Sequence, residues 1–74
     1  MSEYSEELEF EMDERPLVLM NLLKLEGLVP SGGQAKVVID SGLVEVNGEV
    51  ELRKRRQLSK GDVVTFQGVR IFLK

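Results

Sequence analysis

Five bases crowd into residues 53–60 (Arg53, Lys54, Arg55, Arg56 and Lys60), with no acid among them. The chemistry open to such a cluster is electrostatic. Guanidinium and ammonium groups bind phosphates, and Arg adds planar, bidentate contact. Other chemistry is closed or weak. The chain has no Cys and no His, so it lacks a thiolate nucleophile, the commonest metal ligand and the usual acid–base group near neutral pH. Glu49 and Glu51 form an acidic pair that could in principle share a proton. Two residues apart on an extended segment, they read instead as solvent-facing carboxylates. There is no phosphate-loop signature and no metal-ligand cluster. The expectation is a non-enzyme that needs no cofactor.

The formal charge of −3 hides a segregation. Residues 1–15 hold seven acids and one base, a net −6, while residues 16–74 hold nine bases and six acids, a net +3. A basic face with an acidic tail elsewhere suits a polyanion. The tail itself suggests a second reading, a protein-interaction accessory domain that uses its acidic N-terminal segment. That segment could also shield the basic face when no polyanion is bound.

The 74 residues fit one small domain, residues 1–74, with an acidic segment 1–15 and a core 16–74. Leu8-Glu9-Phe10-Glu11-Met12 alternates apolar and acidic, the signature of an edge strand. Pro16 suits the first turn of a helix that is leucine-rich to Glu26, apolar over most of its circumference and therefore buried on several sides. Gly27 suits its C-terminal cap. Ser31 and Gln34 have capping-box spacing, and Ala35, Val38 and Ile39 form the apolar stripe of a second helix that ends at Gly42. Lys36 points away from that stripe.

Strand grammar follows. Asn47-Gly48 is a hairpin signal between Leu43–Val46 and Glu49–Leu52. A two-residue loop would set Val46 opposite Glu49, whereas a three-residue loop would match apolar with apolar; the pattern favours the longer loop without settling it. Gln67-Gly68 joins Val63–Phe66 to Val69–Leu73, with residue 66 opposite 69 and 64 opposite 71. The fold class is α+β: two helices packed on a small curved antiparallel sheet, with an added N-terminal strand. No apolar run approaches the ~20 residues that span a bilayer. A soluble, cytoplasmic monomer is expected.

The polyanion can be narrowed. Single-strand readers need aromatic platforms, and the four aromatics Tyr4, Phe10, Phe66 and Phe72 all lie away from the basic stretch. Neither helix reads as a polar major-groove helix. Bases without stacking platforms fit recognition of backbone and shape, hence structured A-form RNA. Lys24 and Lys36, on the two helices, are the natural companions of the loop bases.

Several phrases together resemble a known family. They are Leu22-Leu23-x-Leu25-x-Gly27-Leu28, Ser31-Gly32-Gly33-Gln34-Ala35-Lys36, Ile39-x-x-Gly42-x-Val44-x-Val46-Asn47-Gly48 and Leu58-x-x-Gly61-Asp62-Val63-Val64. The chain is similar over residues 17–66 to the RNA-binding domain named after ribosomal small-subunit protein four, the αL motif, and to its small stand-alone bacterial members of the YbcJ type. The resemblance implies two helices on a short sheet and structured RNA, ribosomal or transfer RNA above all, with a ribosomal or protein partner as the other class. It implies an RNA-binding set of Lys24, Gln34, Lys36, Arg53, Lys54, Arg55, Arg56 and Lys60. Larger members often begin the first helix with Arg-Leu-Asp and carry Arg after the capping Ser. Here those places hold Leu17-Val18-Leu19 and Gly32, which shifts weight to Lys36 and the loop. Replacing Arg53 and Arg55 with Glu is expected to abolish binding and leave the fold intact.

Overall fold

A computed structural model describes residues 5–74; readings that involve Glu3 and Tyr4 lie outside the described residues. The elements in chain order are β1 (Glu6–Phe10), α1 (Leu19–Leu25), α2 (Gly32–Asp40), β2 (Val44–Val46), β3 (Glu49–Val50), β4 (Val63–Phe66) and β5 (Val69–Leu73). The strands form one sheet in the order β1-β5-β4-β2-β3. Its β2–β5 portion is antiparallel, and β1 joins the β5 edge in parallel, so the sheet is mixed. Alternation decides the buried face. Val44, Val46, Val64, Phe66, Val69, Ile71 and Leu73 share it, and the apolar sides of the helices cover it with Leu19, Leu22, Leu23, Ala35, Val38 and Ile39. Leu8 and Phe10 extend that layer from β1. Each fully buried Leu or Ile contributes about 1.5–3 kcal/mol relative to exposure.

The second hairpin has the expected register, Phe66 opposite Val69 and Val64 opposite Ile71. Gln67 and Gly68 both take positive φ, 51° and 78°, as a two-residue turn of this twist requires. The first hairpin departs from the apolar-matching expectation. Its loop is also two residues, Asn47 (φ 54°) and Gly48 (φ 84°), and Val46 faces Glu49 while Glu45 faces Val50. The reason is position. β3 is a short edge strand whose Val50 is 57% exposed, so the core exerts no pull on its register. The strand does not continue through Leu52, which is also exposed.

Helix α1 begins at Leu19, not at Pro16. Leu17 and Val18 are extended instead: the Leu17 carbonyl accepts from Leu58 N–H at 2.9 Å, and Val18 bridges Gln57. Burial of Leu17 beneath that crossing accounts for apolar residues that read as helix. Leu25 is 65% exposed, so the helix is buried on one side rather than several. Both helices end in Schellman turns, Leu28 N–H to Leu23 O and Leu43 N–H to Val38 O, with Gly27 and Gly42 left-handed. Ser31 Oγ accepts from Gln34 N–H at 3.1 Å and caps α2.

Candidate nucleic-acid interface

The first N–H groups of a helix need acceptors, and the N-cap of α1, Val18, has no side chain to offer. The basic loop supplies them. Leu19 N–H donates to the Arg56 carbonyl at 2.9 Å and Met20 N–H to the Lys54 carbonyl at 3.0 Å. Leu58, buried, follows as the loop's apolar anchor. The far end is tied down as well. Asp62 accepts from Ser59 N–H at 2.8 Å and from the Asn47 side-chain amide at 3.0 Å, while Asn47 Oδ1 accepts from Val63 N–H at 2.9 Å. The Asn47-Gly48 and Gly61-Asp62 motifs are thus two halves of one lock. The loop is a docked element, not a loose arm.

Glu51 holds the near end. It is 7% exposed, against the expectation of a solvent-facing carboxylate. Its carboxylate accepts from Arg53 N–H, Arg53 Nε and Arg53 Nη2, each at 3.0 Å, and from Arg56 Nη1 at 2.7 Å. These hydrogen bonds, Arg53's first and Arg56's next, outweigh desolvation and hold the Glu51 carboxyl well below the usual carboxylate range. The Arg53 guanidinium is correspondingly raised by the same contact. Arg53 remains 72% exposed at its side chain and Arg56 31%. Arg53→Glu would set a second carboxylate beside Glu51, so the double charge reversal expected to spare the fold would disturb this clasp.

The other predicted bases divide into two groups. Lys24, Lys36, Lys54, Arg55 and Lys60 make no ion pair or side-chain hydrogen bond among the described residues. Three of them, Lys54, Lys24 and Lys36, are linked through neighbouring residues. Lys54 is held at Met20, and Lys24 stands one turn beyond Met20 on α1. Gly32 sits against both side chains: a Cβ there would lie 3.4 Å from Met20 Cε and 3.9 Å from Lys24 Cδ. Lys36 follows one turn along α2 from Gly32. Arg55 is exposed on the loop beside Lys54, and Gln34 is exposed in the first turn of α2. The stem of Lys24 therefore runs beside Gly32, the first residue of α2. Lys60 is separate. It shares a shallow depression with Asp13, Glu14 and Arg15.

Three of the six described acids of the N-terminal segment are paired with bases outside the predicted set, while Glu11 and Asp13 line the cavity that Lys24 also lines. On β1, Glu7 pairs with Arg70, and Glu9 pairs with Lys74 at 2.6 Å. Arg70 also lies over the Phe72 ring, 5.1 Å from its centroid. Asp13 is held low in pKa by its hydrogen bonds from Arg15. β1 occupies the sheet edge opposite β3, where the basic loop begins. Sequence reasoning missed Glu51. The available signal was an acid two and five residues ahead of two arginines, at the point where the strand pattern stops.

Among the described residues no cluster of acidic side chains could hold a metal ion, and no helix is long and apolar enough to cross a membrane. "Putative RNA-binding protein YbcJ" of Escherichia coli (strain K12) is 48% identical over 60 residues, 80% of this chain and 86% of that protein. "Probable ribosome maturation protein RlbA" of Bacillus subtilis (strain 168) is 39% identical over 57 residues, 77% and 80% of the two chains. The solution structure of YbcJ from E. coli, described as revealing an αL motif involved in RNA-binding, superposes with a TM-score of 0.63 at 45% identity, covering 86% of this chain and 85% of that one. The family model of the S4 domain matches residues 10–74, and the chain belongs to the S4-domain family.

Proposed function

We propose that this chain is a non-catalytic RNA-binding module that grips structured RNA by its phosphate backbone. Its surface is Lys54 and Arg55 on the docked loop, Lys24 and Lys36 on the helices, and Arg53 and Arg56 as Glu51 orients them. Gln34 offers a neutral amide at the start of α2. Lys60 is an outlying contact. The observation that carries the reading is that Lys24, Lys36, Lys54 and Arg55 have no side-chain partner among the described residues and sit on the docked loop and the two helices next to it, while Glu7, Glu9 and Asp13 pair with other bases. The names of the E. coli and B. subtilis relatives support it, and the latter favours ribosomal RNA over transfer RNA and a place beside cytoplasmic ribosomes. The basic loop and both helices carry no aromatic residue, which favours a helical target over a single strand.

The alternative, a protein-interaction domain using the acidic segment, loses some ground because three of its six described acids, Glu7, Glu9 and Asp13, are already paired within the chain. The direct test is binding to a folded RNA hairpin beside a DNA duplex of the same sequence, at increasing salt. The expected result is salt-sensitive binding that favours RNA. Equal indifference to both at low salt would overturn the proposal.

A further inference from the structure

We propose that Glu51, an acid inside a surface for a polyanion, strengthens RNA binding: it is a positioning residue that presents Arg53 and Arg56 as a fixed pair to the phosphodiester backbone. This rests on the RNA-binding reading above. A carboxylate offers about four acceptor sites, and here four donors fill them, three from Arg53 and one from Arg56. Of the five N–H donors that a guanidinium carries, Arg53 directs two at Glu51 and keeps three for a ligand. Arg56 gives up one and keeps four. The pair keeps one net positive charge after Glu51 is counted.

The two side chains are held from both ends. Their backbone is docked on α1 through the Arg56 and Lys54 carbonyls, and their heads are held by one buried carboxylate. A long cation normally loses rotamer freedom when it binds. Here that loss is met in folding, through Glu51, before RNA arrives. Charge counting alone gives the opposite sign: removing an acid from a cationic patch should tighten binding to RNA.

The test therefore turns on sign. Glu51→Gln and Arg53→Lys are compared with the parent for affinity to a folded RNA hairpin at ~0.15 M salt, where one lost phosphate contact is worth about fivefold. Both variants are expected to bind about fivefold or more weakly, although the first gains net positive charge and the second keeps it. The Arg53 Nε–H resonance of the RNA-free parent should be resolved, and it should broaden or move to the solvent position in Glu51→Gln. Circular dichroism reports folding. Should Glu51→Gln unfold, Arg53→Lys decides, because that side chain is largely exposed. Equal or tighter binding by the folded variants would overturn the positioning role while leaving RNA binding in place. A parent that binds no RNA would overturn the functional reading itself, and a resolved Arg53 resonance would then mark Glu51 as a structural clasp only.

Discussion

Replacing Lys54 and Arg55 together by Ala removes two of the four proposed contact bases that have no side-chain partner among the described residues. Neither side chain forms an ion pair or hydrogen bond among the described residues, and the Lys54 carbonyl that accepts from Met20 N–H is kept in the variant. The stability change should therefore stay within about 0.5 kcal/mol. The binding change should be large. Each phosphate neutralised contributes about 0.7–0.9 to the slope of log affinity against log salt. With Arg53 and Arg56 counted, six such contacts give the parent a slope of about −4 to −5.5, and the variant should show about −3 to −3.5. At ~0.15 M salt, losing two contacts lowers affinity by about 30-fold. Fluorescence anisotropy of a labelled RNA hairpin, titrated at several salt concentrations, measures both quantities. A variant with the parental slope and affinity would refute the reasoning and move the contact surface away from the loop, toward the β1–β5 edge.

Three further outcomes concern the frame that holds the surface. The Glu51 carboxyl is depressed in the folded state, so the folded chain holds fewer protons than the unfolded one at mildly acid pH; its stabilising contribution is complete above the ordinary value of 4.5 and fades as pH falls below it. Urea melts should accordingly show the parent more stable than Glu51→Gln at neutral pH and the two converging toward pH 2, and a constant gap would count against the clasp. Asn47→Ala loses the hydrogen bonds to Asp62 and Val63 and places Ala at φ 54°; it should cost about 1–3 kcal/mol, read as a fall in Tm of about 5–15 °C, with Asn47→Gly recovering the backbone part. Leu58→Ala empties the loop's buried anchor and should cost about 2–4 kcal/mol, with faster amide exchange at Leu19 and Met20, whose acceptors lie on the loop. Unchanged exchange there would mean that the loop docks without its apolar anchor.

Much of this frame was legible in the residues because the core reads them twice. In the second hairpin, alternation and a two-residue turn demand the same register, and Val64, Phe66, Val69 and Ile71 lie on one buried face. The caps of α2, Ser31 and Gly42, are local signals that tertiary structure had no reason to override. The misses lie where burial does not vote or where a distant segment does. Val50 and Leu52 are exposed, so apolar pairing could not set the first hairpin's register. Leu17 and Val18 look helical by type, yet they are drawn into extended backbone by Leu58 and Gln57, some forty residues away. Glu51 follows the outward phase of its strand pattern, but the strand ends at Val50, and the carboxylate turns under two arginines that arrive after it. The bases were legible as a run. Their division into a clasped pair, a set on the loop and both helices and an outlying Lys60 follows from the docking of the loop on α1, which no local pattern encodes.

The most direct measurement is an amide resonance titration of the whole chain with a folded RNA hairpin. The expected perturbations fall on Lys24, on Gly32 to Lys36 and on Arg53 to Arg56, and β1 and β5 stay in place. Shifts confined to the β1–β5 edge, or none at concentrations that saturate binding, would contradict a phosphate-gripping surface built on the docked basic loop.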